Sequence, residues 1–287
     1  MSGASREMDF SNDFAADTEF LKLLGRQDDQ VDLTTAALEL ARDAYPDLSF
    51  DSTLAWIEGR AAELRGPMTR AGSDEAILGE LAECLALHHG IIGSSEIYEH
   101  ADGSFLNRVI EQKTGIPISL SVLYMAVAKA SGIELLGVGA PGHFLTRYET
   151  FDKPLFVDAY ACGSIMTYAE CVRRLEETQG VPYDEVRQAI EPVGPRSIII
   201  RMLNNLKALY VKQGEWQACW KVQHRLLALQ PSLYGQRRDW AVISLKAGRV
   251  GPALEMLDAC LKTCPAEDKD YLEQQKIAAH GNLAQWN

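Results

Sequence analysis

His143 and Asp158 stand fifteen residues apart in GAPGHFLTRYETFDKPLFVDAY (139–160), each inside a short apolar run. A histidine beside a carboxylate is two thirds of a nucleophilic triad. The imidazole takes the proton of a nucleophile, and the carboxylate fixes its tautomer and orientation. Three other side chains could supply the attacking atom. Ser119 and Ser121 lie upstream in an apolar run, and Cys162 follows Asp158 by four residues in DAYACG. A serine needs a close base to become a nucleophile, and Cys162 reaches the pair only if its loop folds back. The alternative is a pair without chemistry, buried and retained because each partner satisfies the other.

The elements that must carry these residues are legible from pattern. Before residue 116 the chain reads as helices. DLTTAALELARDAY (32–45) has apolar residues at helical spacing and stops before Pro46. DSTLAWIEGRAAEL has Asp51 or Ser52 as its cap, and SDEAILGELAECLALHH has Ser73. GSFLNRVIEQKTG takes Ser104 as its cap and ends before Gly115. IPISLSVLYMAVAKAS (116–131) is apolar nearly all round, so that helix is buried on most sides. Three strands follow: ELLGVG, HFLTRY and PLFVDAY, the last two joined by ETFDK. A hairpin centred on Thr150 and Phe151 places His143 opposite Asp158, with Cβ atoms about 4.5–5.5 Å apart. A capping box, Thr167 to Glu170, then opens another helix.

EPVGPR (191–196) reads as a domain boundary, and beyond it the chain repeats. Gly214 and Gly248 are 34 residues apart, as are Pro231 and Pro265, and Leu227/Leu261 keeps the offset. Each unit, about 201–234 and 235–268, reads helix, glycine turn, helix, proline. That is the tetratricopeptide layout, although Pro252 sits where a small residue is usual. A final helix spans 267–280. The expected organisation is a disordered 1–15, a first domain over 16–192 and a repeat domain over 197–287. The fold class is α+β followed by an all-α helical repeat.

Composition narrows the function. A net charge of −12 across 287 residues makes the chain a poor nucleic-acid binder, since phosphate binding needs clustered Lys and Arg, and the expectation is no nucleic-acid partner. No apolar run reaches the ~20 residues of a membrane span, and the polar start has no signal-peptide pattern. Six scattered cysteines without a C-x-x-C pair fit the reducing cytoplasm. Cys260 and Cys264 read as packing residues. His88 and His89 are the one histidine pair, and adjacent helical positions chelate poorly. The expectation is therefore no metal and no cofactor.

A long buried helix followed by a hairpin bearing His and then Asp resembles the papain-related, transglutaminase-like fold. SFLNRVIEQKTGIPISLS, VLYMAVAKASGIELLGVGAPGHFLTRY, LFVDAY and RMLNNLKALYVKQGEW are similar to the transglutaminase-like core-2 family, the SirB group of bacterial proteins, over roughly 20–285. The resemblance implies a cysteine at the start of the buried helix, where the helix dipole stabilises a thiolate, with His143 as base and Asp158 as its orienter. Counting back fifteen from Gly132, or two forward from Gly115, gives position 117, and the residue there is Pro117. Asp158 is followed by Ala159, where the family has proline. A degenerate domain acting as a protein-interaction or regulatory scaffold is the expectation. The partner is a protein or peptide segment, met through Arg201, Asn204, Asn205 and Lys207 on the first repeat helix. The competing expectation is a hydrolase or acyltransferase without the usual cysteine, using His143, Asp158 and a nonstandard nucleophile.

Overall fold

The computed structural model describes residues 10–179 and 183–284. Two compact units result: Asp17–Met202, and Leu203–Asn287 together with the segment up to Ala16.

The first unit opens with α1 (Thr18–Leu24), α2 (Leu33–Ala41), α3 (Asp51–Arg70) and α4 (Asp74–Ala82). Caps explain several boundaries. Asp32 accepts from the Thr35 amide at 2.9 Å, and Ser73 accepts from the Ala76 amide at 3.2 Å. Two expected caps fail. Asp51 is the first residue of α3, behind Phe50, and Ser104 is buried in a 3-10 turn over Ala101–Ser104. The helix that Ser104 was to cap is α5 (Leu106–Gln112), which starts after Phe105 and ends at Lys113 in the left-handed region, φ 57°. A π-helical turn, Glu83–His88, continues α4. Two short strands, β1 (Ile92–Gly93) and β2 (Thr114–Gly115), pair in parallel.

The apolar run at 116–131 becomes α6 (Pro117–Ala130), buried at nearly every position, with Leu120, Leu123 and Val127 fully enclosed. Pro117 takes its first position, where a missing N–H leaves nothing unsatisfied. Gly132, at φ 84°, turns the chain out of the helix.

A four-stranded antiparallel meander follows, in the order β3 (Leu136–Val138), β4 (Leu145–Tyr148), β5 (Leu155–Asp158), β6 (Ser164–Thr167). The sequence pattern showed three of these. SIMT of β6 escaped because Ser164 and Thr167 are exposed and only Met166 is buried, so no apolar alternation marks it. The β4–β5 register also differs from expectation. Thr146 pairs with Val157 and Tyr148 with Leu155, so the hairpin centres on Phe151 and Asp152. Thr150 sets this, since its Oγ1 accepts from the Asp152 amide at 3.2 Å and donates to the Lys153 carbonyl at 2.8 Å. His143 is therefore not directly opposite Asp158. The pairing moves by two residues, and the strand expected over HFLTRY begins only at Leu145, so His143 lies in the turn before it.

Val138, Leu145, Phe156 and Met166 of the sheet pack with residues of α7 (Tyr168–Gln179) and α8 (Tyr183–Ala189), among them Cys171, Val172, Leu175 and Val186. The Thr167–Glu170 capping box forms, with Glu170 accepting from the Thr167 amide at 2.9 Å. The proline-rich 191–196 is not a free linker. The Val193 amide donates to the Gly137 carbonyl at 2.8 Å, and Pro192 bridges to Val138, so this segment lines the edge of β3. The units divide later, between Met202 and Leu203, within α9 (Pro195–Gln213). Ile198, Ile199 and Met202 are buried.

The second unit holds α10 (Trp216–Leu229), α11 (Tyr234–Lys246), α12 (Val250–Leu261) and α13 (Ala266–Ala284). Its two glycine turns match in conformation: Gly214 has φ 73° and Gly248 φ 74°. Pro252 fits because it lies in the first turn of α12, where no helical donor is lost. Cys260 is buried beside Ala241, Leu257 and Leu272, with Cys264 packed against them. Of the expected disordered 1–15, residues 1–9 lie outside the described residues. Residues 11–16 form turns, and Phe10 and Phe14 place their rings 5.5 and 5.2 Å from that of His224. Two aromatic residues in an acidic segment provide that anchorage.

Candidate functional site

A tight turn presents His143. Ala140-Pro141-Gly142-His143 closes through the His143 amide, which donates to the Ala140 carbonyl at 3.2 Å. Pro141 fixes its own φ, and Gly142 supplies the positive φ of 64° that the turn requires. Arg201 pins this turn. Its Nη2 donates to the Ala140 carbonyl at 2.8 Å and the His143 carbonyl at 2.7 Å, and its guanidinium lies 5.4 Å from the Phe144 ring centre. Burial pushes the Arg201 pKa down.

Asp158, at the end of β5, is fully buried. Its Oδ1 accepts from the Ala161 amide at 3.1 Å. Its Oδ2 lies 3.0 Å from His143 Nε2 and also 3.0 Å from Nη2 of Arg174 on α7. The His143–Asp158 approach is close, but the two atoms do not form an aligned hydrogen bond. Burial pushes the Asp158 pKa up. His143, the Ala161 amide and Arg174 outweigh it and hold the carboxyl below its ordinary value. Arg174 is the participant that the sequence pattern missed. Its signal was spacing: Cys171 and Arg174 are three apart on one helix, hence on one face.

The nucleophile candidates divide sharply. Pro117 holds the start of α6 and offers no attacking atom. Ser119 and Ser121 are fully buried. Ser119 Oγ donates to the carbonyls of Gly103 at 2.5 Å and Ile116 at 3.0 Å, and Ser121 Oγ donates to the Phe144 carbonyl at 3.4 Å. Cys162 is exposed on a left-handed residue, φ 56°, in the turn between β5 and β6. The thiol that shares a cavity with His143 is a different one, Cys171. That cavity, about 150 Å³, is lined by Gly142, His143, Leu145, Met166, Arg174 and Cys171, with Leu175. Burial pushes the Cys171 thiol up to about 12, so it stays protonated near neutrality.

Tyr160 flanks His143 on its other side, with ring centres 6.1 Å apart, and Tyr98 lies 6.0 Å beyond. Gly93 permits this, because a Cβ there would fall 2.3 Å from the Tyr160 ring. A larger cavity of about 550 Å³, walled by Val122, Met125, Leu136 and Ile198, contains neither His143 nor Asp158.

The four residues expected to meet a partner behave differently from one another. Arg201 is committed to the His143 turn. Lys207 pairs with Asp239 at 2.6 Å. Asn204 and Asn205 are exposed.

Among the described residues no helix is long and apolar enough to cross a membrane. Comparison with known proteins places the site in context. The model of the transglutaminase-like superfamily matches residues 51–204, and a tetratricopeptide-repeat model matches 206–278. A UPF0162 protein of Xylella fastidiosa is 30% identical over 242 residues, covering 83% of this chain and 86% of the relative. Protein SirB1 of Salmonella typhimurium is 19% identical over 66% of this chain and 71% of its own. F-box only protein 21 of Homo sapiens is 29% identical over 171 residues, which are 52% of this chain and 26% of that protein. No solved structure matches.

Proposed function

The chain belongs to the transglutaminase-like superfamily, in the core-2 branch that continues into tetratricopeptide repeats, and from that premise we propose that it is a non-catalytic scaffold that binds a protein or peptide segment through its repeats. The observation that carries this reading is Pro117 at the first position of α6. A thiolate at that position would draw on the helix N-terminus for stabilisation and on His143 for proton transfer. Proline can use neither. Arg174 supports the same reading. It shares Oδ2 of Asp158 with His143, so the carboxylate is already compensated and gives less support to an imidazolium. The His143–Asp158–Arg174 cluster then serves the fold by satisfying buried charge.

Repeat helices bind extended segments on the surface that they present in series. Asn204 and Asn205, exposed neighbours on the first repeat helix, are the proposed contacts. Six free thiols suit the cytoplasm as its compartment. The test is affinity capture of the full chain from its native cells, beside a variant with Asn204→Ala and Asn205→Ala. Arg201 stays unchanged because it holds the His143 turn. A partner recovered by the native chain and lost by the variant supports the reading. Equal recovery by both removes the two asparagines from it.

One observation favours a second reading, that of a hydrolase or acyltransferase with a nonstandard nucleophile. Cys171 lines the cavity that His143 lines. Thiol-directed acylation of Cys171 that disappears in His143→Ala would carry that reading forward.

A further inference from the structure

We propose that Glu63, Cys84 and His89 form a zinc site with three protein ligands and one open position. One ligand atom from each residue lies within 4.8 Å of the other two. Glu63 Oε2 is 2.8 Å from His89 Nε2 and 3.8 Å from Cys84 Sγ. Around a tetrahedral zinc, with bonds of about 2.0–2.3 Å, such atoms lie roughly 3.3–3.7 Å apart. Glu63 and His89 must open by a few tenths of an ångström to admit the ion, and Glu63 is exposed, so solvent can take up that shift.

The helix geometry is what brings the ligands together. Cys84 and His89 are five apart, and in an α-helix they would point about 140° apart. The π-helical turn over Glu83–His88 changes that. The His89 amide donates to the Cys84 carbonyl at 3.1 Å, closing an i to i+5 ring that carries residue 89 back over residue 84. Single π turns are frequent at functional sites. This is the one histidine of the His88–His89 pair that the turn recruits; His88 stays exposed. The expectation of no metal rested on scattered cysteines without a C-x-x-C pair and on adjacent histidines in an α-helix, and it did not consider Glu63, which is 26 residues from His89.

Glu63 is itself held in place. Arg60 donates to its other oxygen, Oε1, at 2.7 Å and lies over the Trp56 ring, 5.0 Å from its centre. Oε2 is thereby left as the ligand atom. Trp56 also sets its ring 5.8 Å from that of His89. Such outer partners orient metal ligands. Sulfur, nitrogen and carboxylate oxygen together form a borderline-soft donor set, which suits zinc rather than magnesium or calcium. On binding, the Cys84 proton leaves to solvent, and thiolate plus carboxylate balance the two positive charges of the ion. Cys84 is buried and closes the inner side. Glu63 and His89 face outward, so the fourth position opens to solvent.

The test is titration of the chelator-treated full chain with cobalt(II), followed by competition with zinc(II) against a chromophoric chelator. The expected result is one tight equivalent per chain, with a near-ultraviolet thiolate-to-cobalt band and the visible bands of a tetrahedral site. Cys84→Ser removes the thiolate band. His89→Gln weakens zinc binding by about tenfold or more, whereas His88→Gln binds like the native chain. Circular dichroism checks that Cys84→Ser is folded, and His89→Gln, a half-exposed position, keeps the test decisive if it is not. Absence of a thiolate band in the native chain, or a band that survives Cys84→Ser in the folded variant, overturns the proposal. So does equal zinc affinity of the native chain and His89→Gln.

Discussion

The sheet of the first unit and the first repeat helix both display polar side chains, but they treat them in opposite ways. Around β4 and β5, charge is enclosed: Asp158 is fully buried and is shared by His143 and Arg174. On the repeat portion of α9, Asn204 and Asn205 remain in solvent. The difference is between charge enclosed by the fold and amides left open to solvent. On the proposed reading, the His143–Asp158 pair belongs to the first kind. A buried pair has a structural reason to exist whether or not a nucleophile faces it.

Substitutions sharpen that comparison in graded fashion. The largest effect is expected from Asp158→Ala, which leaves Arg174 and His143 facing a buried hole. Because Arg174 is partly exposed, the loss falls at the lower end of the range for a broken buried pair, about 3 kcal/mol, read as a lowered denaturant midpoint. The same residue gives the protein a pH signature. Because the folded-state pKa of Asp158 is lowered, its stabilising contribution is complete above the unfolded value of about 4 and is lost as pH falls through the folded one. Acid unfolding of Asp158→Asn, followed by circular dichroism, should therefore show a shallower fall in stability below about pH 4 than the native chain. A parallel fall in both would break the assignment.

Arg201→Ala comes next. It removes two charged hydrogen bonds to the His143 turn, for a loss of about 2–3 kcal/mol, and partner binding should fall no further than stability does. Gly248→Ala forces a side chain into the left-handed region and should cost about 1–2 kcal/mol, with Gly214→Ala similar in size because the two turns share one conformation. The smallest stability change, within about 0.5 kcal/mol, is expected for the Asn204 and Asn205 alanine pair, which should nonetheless lose the partner. A large stability loss there would place those amides with the structural class and undo the contrast.

Legibility in the sequence followed the range of the interactions. The repeat was readable because its signal is periodic and local: glycine 214 and glycine 248 carry the same turn, 34 residues apart. The buried α6, the Ser73-to-Ala76 cap and the Thr167–Glu170 capping box were readable for the same reason. What escaped depends on contacts between distant segments. Arg174 reaches Asp158 only once α7 has packed on the sheet, and Cys171 enters the His143 cavity by the same packing. Arg201 shows an ambiguity in chemistry: an arginine on a repeat helix suits a partner or a carbonyl equally, and only the fold brought the Ala140 and His143 carbonyls to it. The hairpin register turned on one hydroxyl, that of Thr150. The pair met despite the error in register because the Ala140–His143 turn, pinned by Arg201, carries His143 to Asp158.

The central claim, that His143 has no nucleophile to serve, is tested most directly by intact-mass analysis of covalent labelling. The native full chain and His143→Ala would be exposed to acyl thioester, activated ester, fluorophosphonate and haloacetamide probes near neutral pH. The account predicts labelling only of accessible thiols such as Cys162, at the same rate in both proteins. Labelling of Cys171, Ser119, Ser121 or Cys162 that is fast in the native chain and lost in a folded His143→Ala would contradict it and make this an enzyme.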